Sequence, residues 1–171
     1  MKYSIVYSSN TGNTRLLAEK LKTVLTEKST IQETECVYYG APDEKALNAD
    51  LIFAGFWTDK GDSDKESSAF LESLHGKKVF LFGTAGFGGS ETYFNKILSN
   101  VKLHLDDSNT VEAAYMCQGK MPVSVRRRYE SMLPQAPEKM QGLIDNFDLA
   151  LSHPDESDLD SLARTASAYL S

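Results

Sequence analysis

The chain has 171 residues, 41% hydrophobic and 25% charged, with 24 Asp and Glu against 18 Lys and Arg and a formal net charge of −6. A chain near this size buries roughly 70% of its unfolded surface, so a single domain over 1–171 is expected, without a disulfide or metal staple. The acidic balance speaks against nucleic acid, which needs a basic face to displace phosphate counterions, and the periodic apolar blocks exclude disorder.

The first apolar run, Lys2–Tyr7, reads as a buried strand that ends at once in a polar loop. It has neither the apolar core nor the small-residue cleavage site of a signal peptide. Thr14–Glu27 carries Leu16, Leu17, Leu21, Val24 and Leu25 at helical spacing. Ile31–Tyr38 and Leu51–Gly55 read as the second and third strands, Glu66–Leu74 as a helix, and Lys78–Gly83 as a fourth, near-continuously apolar strand of the kind found in the middle of a parallel sheet. A helix over Thr92–Asn100 and a fifth strand over Val111–Met116 follow. From Pro122 onward the pattern is helical: Val123–Met132, Lys139–Leu151 and Leu159–Leu170, with a Ser-led helix start at Ser152–Glu156. Strands interleaved with helices indicate a three-layer α/β domain on a parallel sheet. The longest apolar run, Leu51–Trp57, is too short to cross a bilayer. Cys36 and Cys117 lie far from any CxxC or metal-ligand spacing, which fits a reduced, cytoplasmic setting without membrane partners.

The sharpest feature is Ser8-Ser9-Asn10-Thr11-Gly12-Asn13-Thr14, set between the first strand and the first helix. Hydroxyls, amides and free N–H groups meet there at a helix N-terminus, which favours an anion. The loop lacks the GK[ST] ending of a nucleoside-triphosphate loop, so a single phosphate held without a counter-cation fits better. Ile5 to Thr14, followed by Ala18 and Leu21, resembles the phosphate-loop signature of the flavodoxin family. The resemblance implies a five-stranded parallel sheet in order 2-1-3-4-5, with FMN at the carboxyl ends of the strands. It implies a phosphate site at Ser9, Asn10, Thr11, Gly12, Asn13 and Thr14, and a flavin ring held between the loops after strands three and four.

The first of these loops supplies Phe56, Trp57, Thr58, Lys60 and Gly61. Trp57, the sole tryptophan, is a stacking candidate for the ring, the competing reading being a Trp folded back onto a helix. Gly61-Asp62 resembles the family's Gly-Asp turn, whose carbonyl turns over to meet the flavin; a plain loop glycine is the alternative. The second loop supplies Thr84, Ala85, Gly86, Phe87 and Gly88, and four glycines (83, 86, 88 and 89) allow close backbone approach. Either Phe87 or Tyr93 is the second ring. The acids Asp59, Asp62, Asp64 and Glu66 gather beside Lys60 and Lys65, and a net negative loop there would disfavour an anionic reduced flavin.

The family pattern does not account for the helical segment at about 122–152, placed before the final helix. Lys120, Arg126, Arg127 and Arg128 suit an acidic partner, a nicotinamide phosphate or a carboxylate-bearing ligand, or form a solvated helix face beside Glu130. A disulfide between Cys36 and Cys117 is excluded if they sit on opposite sheet edges, roughly 19 Å apart. Two functions follow from the resemblance: an electron carrier between a reductase and an acceptor enzyme, docking redox partners at the flavin edge, or an FMN-dependent NAD(P)H oxidoreductase acting on a small substrate.

Overall fold

A computed structural model describes residues 1–29, 33–88 and 90–170. Ile31 and Gln32 of the expected second strand, and Gly89 of the glycine-rich loop, lie outside the described residues. The strands are β1 (Lys2–Tyr7), β2 (Glu35–Gly40), β3 (Leu51–Asp59), β4 (Asp62–Ser63), β5 (Lys78–Ala85) and β6 (Thr110–Gln118). The helices are α1 (Asn13–Ser29), α2 (Lys65–Glu72), α3 (Glu91–Lys102), α4 (Val123–Met132), α5 (Pro137–Ala150) and α6 (Glu156–Tyr169), with a 3-10 turn at Glu44–Asn48. The parallel sheet runs β2-β1-β3-β5-β6. The two-residue β4 only closes an antiparallel hairpin on the end of β3, so the five long strands keep the expected 2-1-3-4-5 order.

Alternation along β3 sorts its side chains between two layers. Leu51 and Phe53 pack with Leu17, Leu21 and Leu25 of α1 and Leu162 and Ala166 of α6. Ile52, Ala54 and Phe56 pack with Phe70 and Leu71 of α2 and Ile97, Leu98 and Val101 of α3. Being buried on both faces explains why β3 and β5 read as continuous apolar runs. β3 therefore continues four residues beyond the expected end at Gly55, and Phe56, Trp57 and Thr58 are strand rather than loop. β5 likewise takes in Thr84 and Ala85.

Two aromatic–glycine pairs lock the register of these central strands. Gly55 lies opposite Phe82 and Phe56 opposite Gly83. A Cβ on Gly83 would stand 2.3 Å from Phe56 Cζ, and one on Gly55 would stand 2.4 Å from the Phe82 ring. Each ring occupies the space that its partner glycine leaves.

The final helix starts differently from expectation. Its cap is Asp155, not Ser152: the Asp155 carboxylate accepts from Asp158 N–H while the Asp158 carboxylate accepts from Asp155 N–H. The added helices α4 and α5 form a hairpin with its own small core of Tyr129, Met140 and Ile144. Arg126 of α4 forks onto Asp148 of α5 (Nε–Oδ1 3.0 Å, Nη2–Oδ2 3.2 Å) and also pairs with Glu130. Cys36 on β2 and Cys117 on β6 are free thiols.

Gly83→Ala forces the buried Phe56 ring out of its place. Overpacking of this kind costs about 1–3 kcal/mol, to be read as a lower urea midpoint at unchanged slope.

Candidate functional site

Residues 8–12 connect β1 to α1 at the carboxyl end of the sheet. Ser8 N–H donates to Gly55 O (3.2 Å). Gly12 takes φ +88, the left-handed region open to glycine, and its carbonyl accepts Leu16 N–H (3.1 Å) to begin α1. Ser9 Oγ accepts Arg15 N–H (3.3 Å). The first turn of α1 carries no acid, so the positive end of its dipole is left uncompensated at this loop.

Thr14, fully buried, ties the loop to both neighbouring strands. Its hydroxyl donates to Phe56 O (3.1 Å) and lies 3.3 Å from Thr84 Oγ1. With the Thr14 proton engaged on Phe56, Thr84 is the donor of the second bond.

After Thr58 the chain turns back through Lys60 (φ 51) and Gly61 (φ 81). Two successive left-handed residues between the paired Asp59 and Asp62 make the tight hairpin turn that matches strand twist. Gly61 O accepts from Asn100 Nδ2 of α3 (2.9 Å). The neighbouring acids have structural partners. Asp64 caps α2 by accepting Ser67 N–H (3.0 Å) and also accepts Trp57 N–H (3.2 Å). Asp62 meets His104 Nε2 (2.8 Å), whose Nδ1 meets Glu72 (2.8 Å). Partial burial lowers the His104 pKa, but the bonds and charges of Asp62 and Glu72 outweigh it and hold the imidazole above its usual range. Of the acids expected beside the ligand, Asp62 and Asp64 are thus engaged with His104 and α2, and Glu66 accepts from the Ser8 hydroxyl (3.4 Å).

The third loop is fastened from the added segment. Gly86 O accepts from Gln118 Nε2 (2.9 Å) and from Asn146 Nδ2 of α5 (3.1 Å). Phe87 and Tyr93 meet edge to face, centroids 6.4 Å apart. Residues 119–122 then cross the first loop: Lys120 O accepts Asn13 Nδ2 (2.8 Å) and Thr11 Oγ1 (3.2 Å), while Lys120 N–H donates to His153 O (3.1 Å). The crossing is close because Gly119 and Gly86 lack side chains; a Cβ would stand 2.4 Å from Asn13 and 2.5 Å from Met121 respectively.

These loops surround a cleft of about 450 Å³. Of the residues expected from the sequence, Asn10, Thr11, Asn13, Trp57, Thr58, Lys60, Gly61, Thr84, Ala85, Gly86, Phe87 and Tyr93 line it. Ser9, Gly12, Thr14 and Gly88 shape its loops without lining it. Phe56 is not brought there: strand alternation sends its ring into the α2–α3 core, fully buried, and only its carbonyl meets Thr14. The remaining wall is Lys120, Met121, Pro122 and, on α4, Val125, Arg128 and Tyr129. The basic cluster therefore divides. Arg126 is consumed in the α4–α5 hairpin, Arg127 is exposed, and Lys120 and Arg128 face the cleft. Two buried polar atoms in the wall, Asn13 Oδ1 and Thr58 Oγ1, have no protein partner, an arrangement that native proteins reserve for a ligand or ordered water.

The chain matches the flavodoxin domain over residues 4–167. It belongs to the flavodoxin family. Among its flavodoxin-like relatives is the flavodoxin-like domain-containing protein BilS of Clostridium symbiosum (strain WAL-14163), 42% identical over 93% of this chain and 90% of that protein. BilS of Clostridioides difficile (strain CD3) is 35% identical over the same shares. Oxidised flavodoxin 2 from Bacillus cereus shares the fold at a TM-score of 0.56 and 20% identity, covering 99% and 98% of the two chains. A WrbA-like flavodoxin from Agrobacterium tumefaciens does so at 0.53 and 17%, covering 99% and 97%. In this flavodoxin-family chain no helix among the described residues is long and apolar enough to cross a membrane.

Thr14→Val keeps the shape of the side chain, removes the side-chain bond to Phe56 O and leaves the Thr84 hydroxyl without its partner in a buried site. The unfolding free energy falls by about 1–3 kcal/mol, as a denaturant titration would show. His104 gives a pH signature. Its folded pKa exceeds the unfolded value of about 6.5, so its contribution to stability is complete below that value and is lost as pH rises through the folded pKa. His104→Gln flattens this component of the melting temperature against pH.

Proposed function

We propose that the chain is an FMN-binding electron carrier, passing electrons between a reductase and an acceptor enzyme in the cytoplasm. One observation carries this reading. Three loops at the carboxyl ends of β1, β3 and β5 converge on a cleft whose wall presents Trp57, Phe87 and Tyr93 beside the unpartnered Asn13 Oδ1 and Thr58 Oγ1.

The residues present fit FMN. The loop over Ser9–Thr14 and the uncompensated start of α1 suit the phosphate. Asn13 and Thr58, whose Oδ1 and Oγ1 are buried without a protein partner, would turn these oxygens to polar groups of the cofactor. The backbone of Thr84–Gly86, the Lys60-Gly61 turn and the aromatics Trp57, Phe87 and Tyr93, which line the cleft, would hold its ring. When bound, FMN supplies one-electron chemistry at a ring that the protein orients. The residues of the cleft wall would hold the ring and limit the access of water to it. The cleft wall contains no carboxylate, imidazole or thiol among the described residues, which suits electron passage without proton shuttling by the protein. Cys117 takes no part: burial, and then the charge of Asp158, push its thiol pKa up, away from the reactive thiolate.

A second reading, an FMN-dependent NAD(P)H oxidoreductase, draws on Lys120 and Arg128, two cations in the cleft wall able to receive a nucleotide phosphate. Mixing NAD(P)H anaerobically with the protein alone separates the two: rapid bleaching of the flavin bands marks the oxidoreductase, and persistence of the bands marks the carrier.

The purified protein shows flavin absorption bands or acquires them by binding one FMN per chain. A colourless protein that binds no added FMN overturns both readings. Trp57→Leu weakens FMN binding about 2–10-fold, from the ~0.5–1.5 kcal/mol that an aromatic pair adds beyond area burial, measured by flavin fluorescence titration.

A further inference from the structure

The cleft of this acidic protein is walled by cations. Lys60, Lys120 and Arg128 line it, and no Asp or Glu does. Arg127 stands exposed beside Arg128 on α4. Among the described residues no carboxylate lies within ion-pair distance of any of these four, whereas the adjacent Arg126 is neutralised by Asp148 and Glu130. Arg128 is instead carried over the Tyr129 ring, 5.9 Å from its centroid. The acids that neighbour cleft-lining residues in sequence include Asp59, Asp62, Glu91 and Glu130; none lines the wall, and Asp62 and Glu130 are paired with His104 and Arg126. Apolar surface accompanies the charge: Phe87 is 38% exposed and Val123, at the start of α4, 58%.

We propose that this face docks an acidic redox protein, whose carboxylates pair with Lys60, Lys120, Arg127 and Arg128 while Phe87 and Val123 make the dry contact. The inference rests on the carrier reading and adds the sign of the partner. A net charge of −6 opposes the approach of an acidic partner overall. Unpaired cations gathered at the cleft mouth therefore favour the orientation that brings the two redox centres together. A protein surface accounts for features that a small anion does not. Arg127 and Val123 lie outside the concavity, and arginine and an exposed aromatic residue are among the residue types enriched at interfaces. The α4–α5 hairpin thereby gains a role, since it carries two of the four cations and Val123 to the edge of the cleft.

The test uses FMN-loaded protein reduced with dithionite, freed of excess reductant and mixed with two cytochromes of opposite surface charge. Each haem iron takes one electron from the flavin, passing from ferric to ferrous. Acidic cytochrome b5 is expected to be reduced faster at low salt, its rate falling as salt rises. Arg127→Glu and Arg128→Glu are each expected to slow it about tenfold, the low end of electrostatic steering, and to weaken its salt dependence. A preference for basic cytochrome c, unchanged by the variants, overturns the proposal. So does a result in which the variants slow reduction of ferricyanide, a small anion, but leave cytochrome b5 untouched, because the cations then serve a small ligand. Quenching of Trp57 in the flavin-free chain reads the same field without FMN. The ratio of iodide to caesium quenching is expected to exceed that of free N-acetyltryptophanamide and to fall in Arg128→Glu with acrylamide quenching unchanged; a ratio no higher than that of the free indole overturns the proposal. Failure to bind FMN removes the carrier reading but leaves the quenching result in place, so the two failures are distinct.

Discussion

The geometry of the site depends on one buried hydroxyl. Thr14 stands at the start of α1, where a helix leaves N–H groups unpaired, and it reaches the carbonyl of Phe56 on β3 and the hydroxyl of Thr84 on β5. Three segments that are distant in sequence are thereby held at one depth. In an apolar surrounding such bonds are costly to break, because the groups left behind have no water to turn to. The cleft is a consequence of that constraint: its loops diverge outward from a common anchored base.

A second constraint closes the cleft from the side. The segment of residues 119–122 lies across the first loop because Gly119 lets its backbone approach Asn13, and Lys120 O takes up donors from both Thr11 and Asn13. The crossing sets the direction in which α4 leaves β6, and the Arg126–Asp148 fork sets how α5 returns along it. Asn146 then reaches back to Gly86. The added helices are therefore fastened to two of the loops that shape the site, and α4 becomes its fourth wall.

The first loop is legible in the sequence because its residues are contiguous and follow a strand. The parallel sheet is legible because strands buried on both faces advertise themselves as apolar runs. Phe56 escapes the same reading: the third strand is expected to end at Gly55, whereas β3 extends to Asp59 and the alternation turns the ring inward. The cap of α6 passes from Ser152 to Asp155 because the reciprocal bond to Asp158, three residues on, outcompetes a lone hydroxyl. The wall formed by Met121, Val125 and Tyr129 has no local signal, since nothing in a helical stripe says what it faces. Nor does the run Arg126–Arg128 reveal which arginine remains unpaired; that depends on where α5 places Asp148. A pattern search for a basic residue just after the last strand could single out Lys120, but not its crossing of the first loop.

Above all, α4 and the crossing segment wall the cleft, and the proposal that FMN occupies it makes them part of the cofactor site rather than an appendage to it. Amide chemical shifts of the flavin-free protein, followed through a titration with FMN, distinguish the two arrangements. As part of the site, Lys120, Met121, Val125 and Tyr129 shift together with Asn13, Thr14, Thr58, Gly61, Gly86 and Phe87, along one binding curve. Shifts confined to the first three loops, with residues 120–129 unmoved, would refute the assignment.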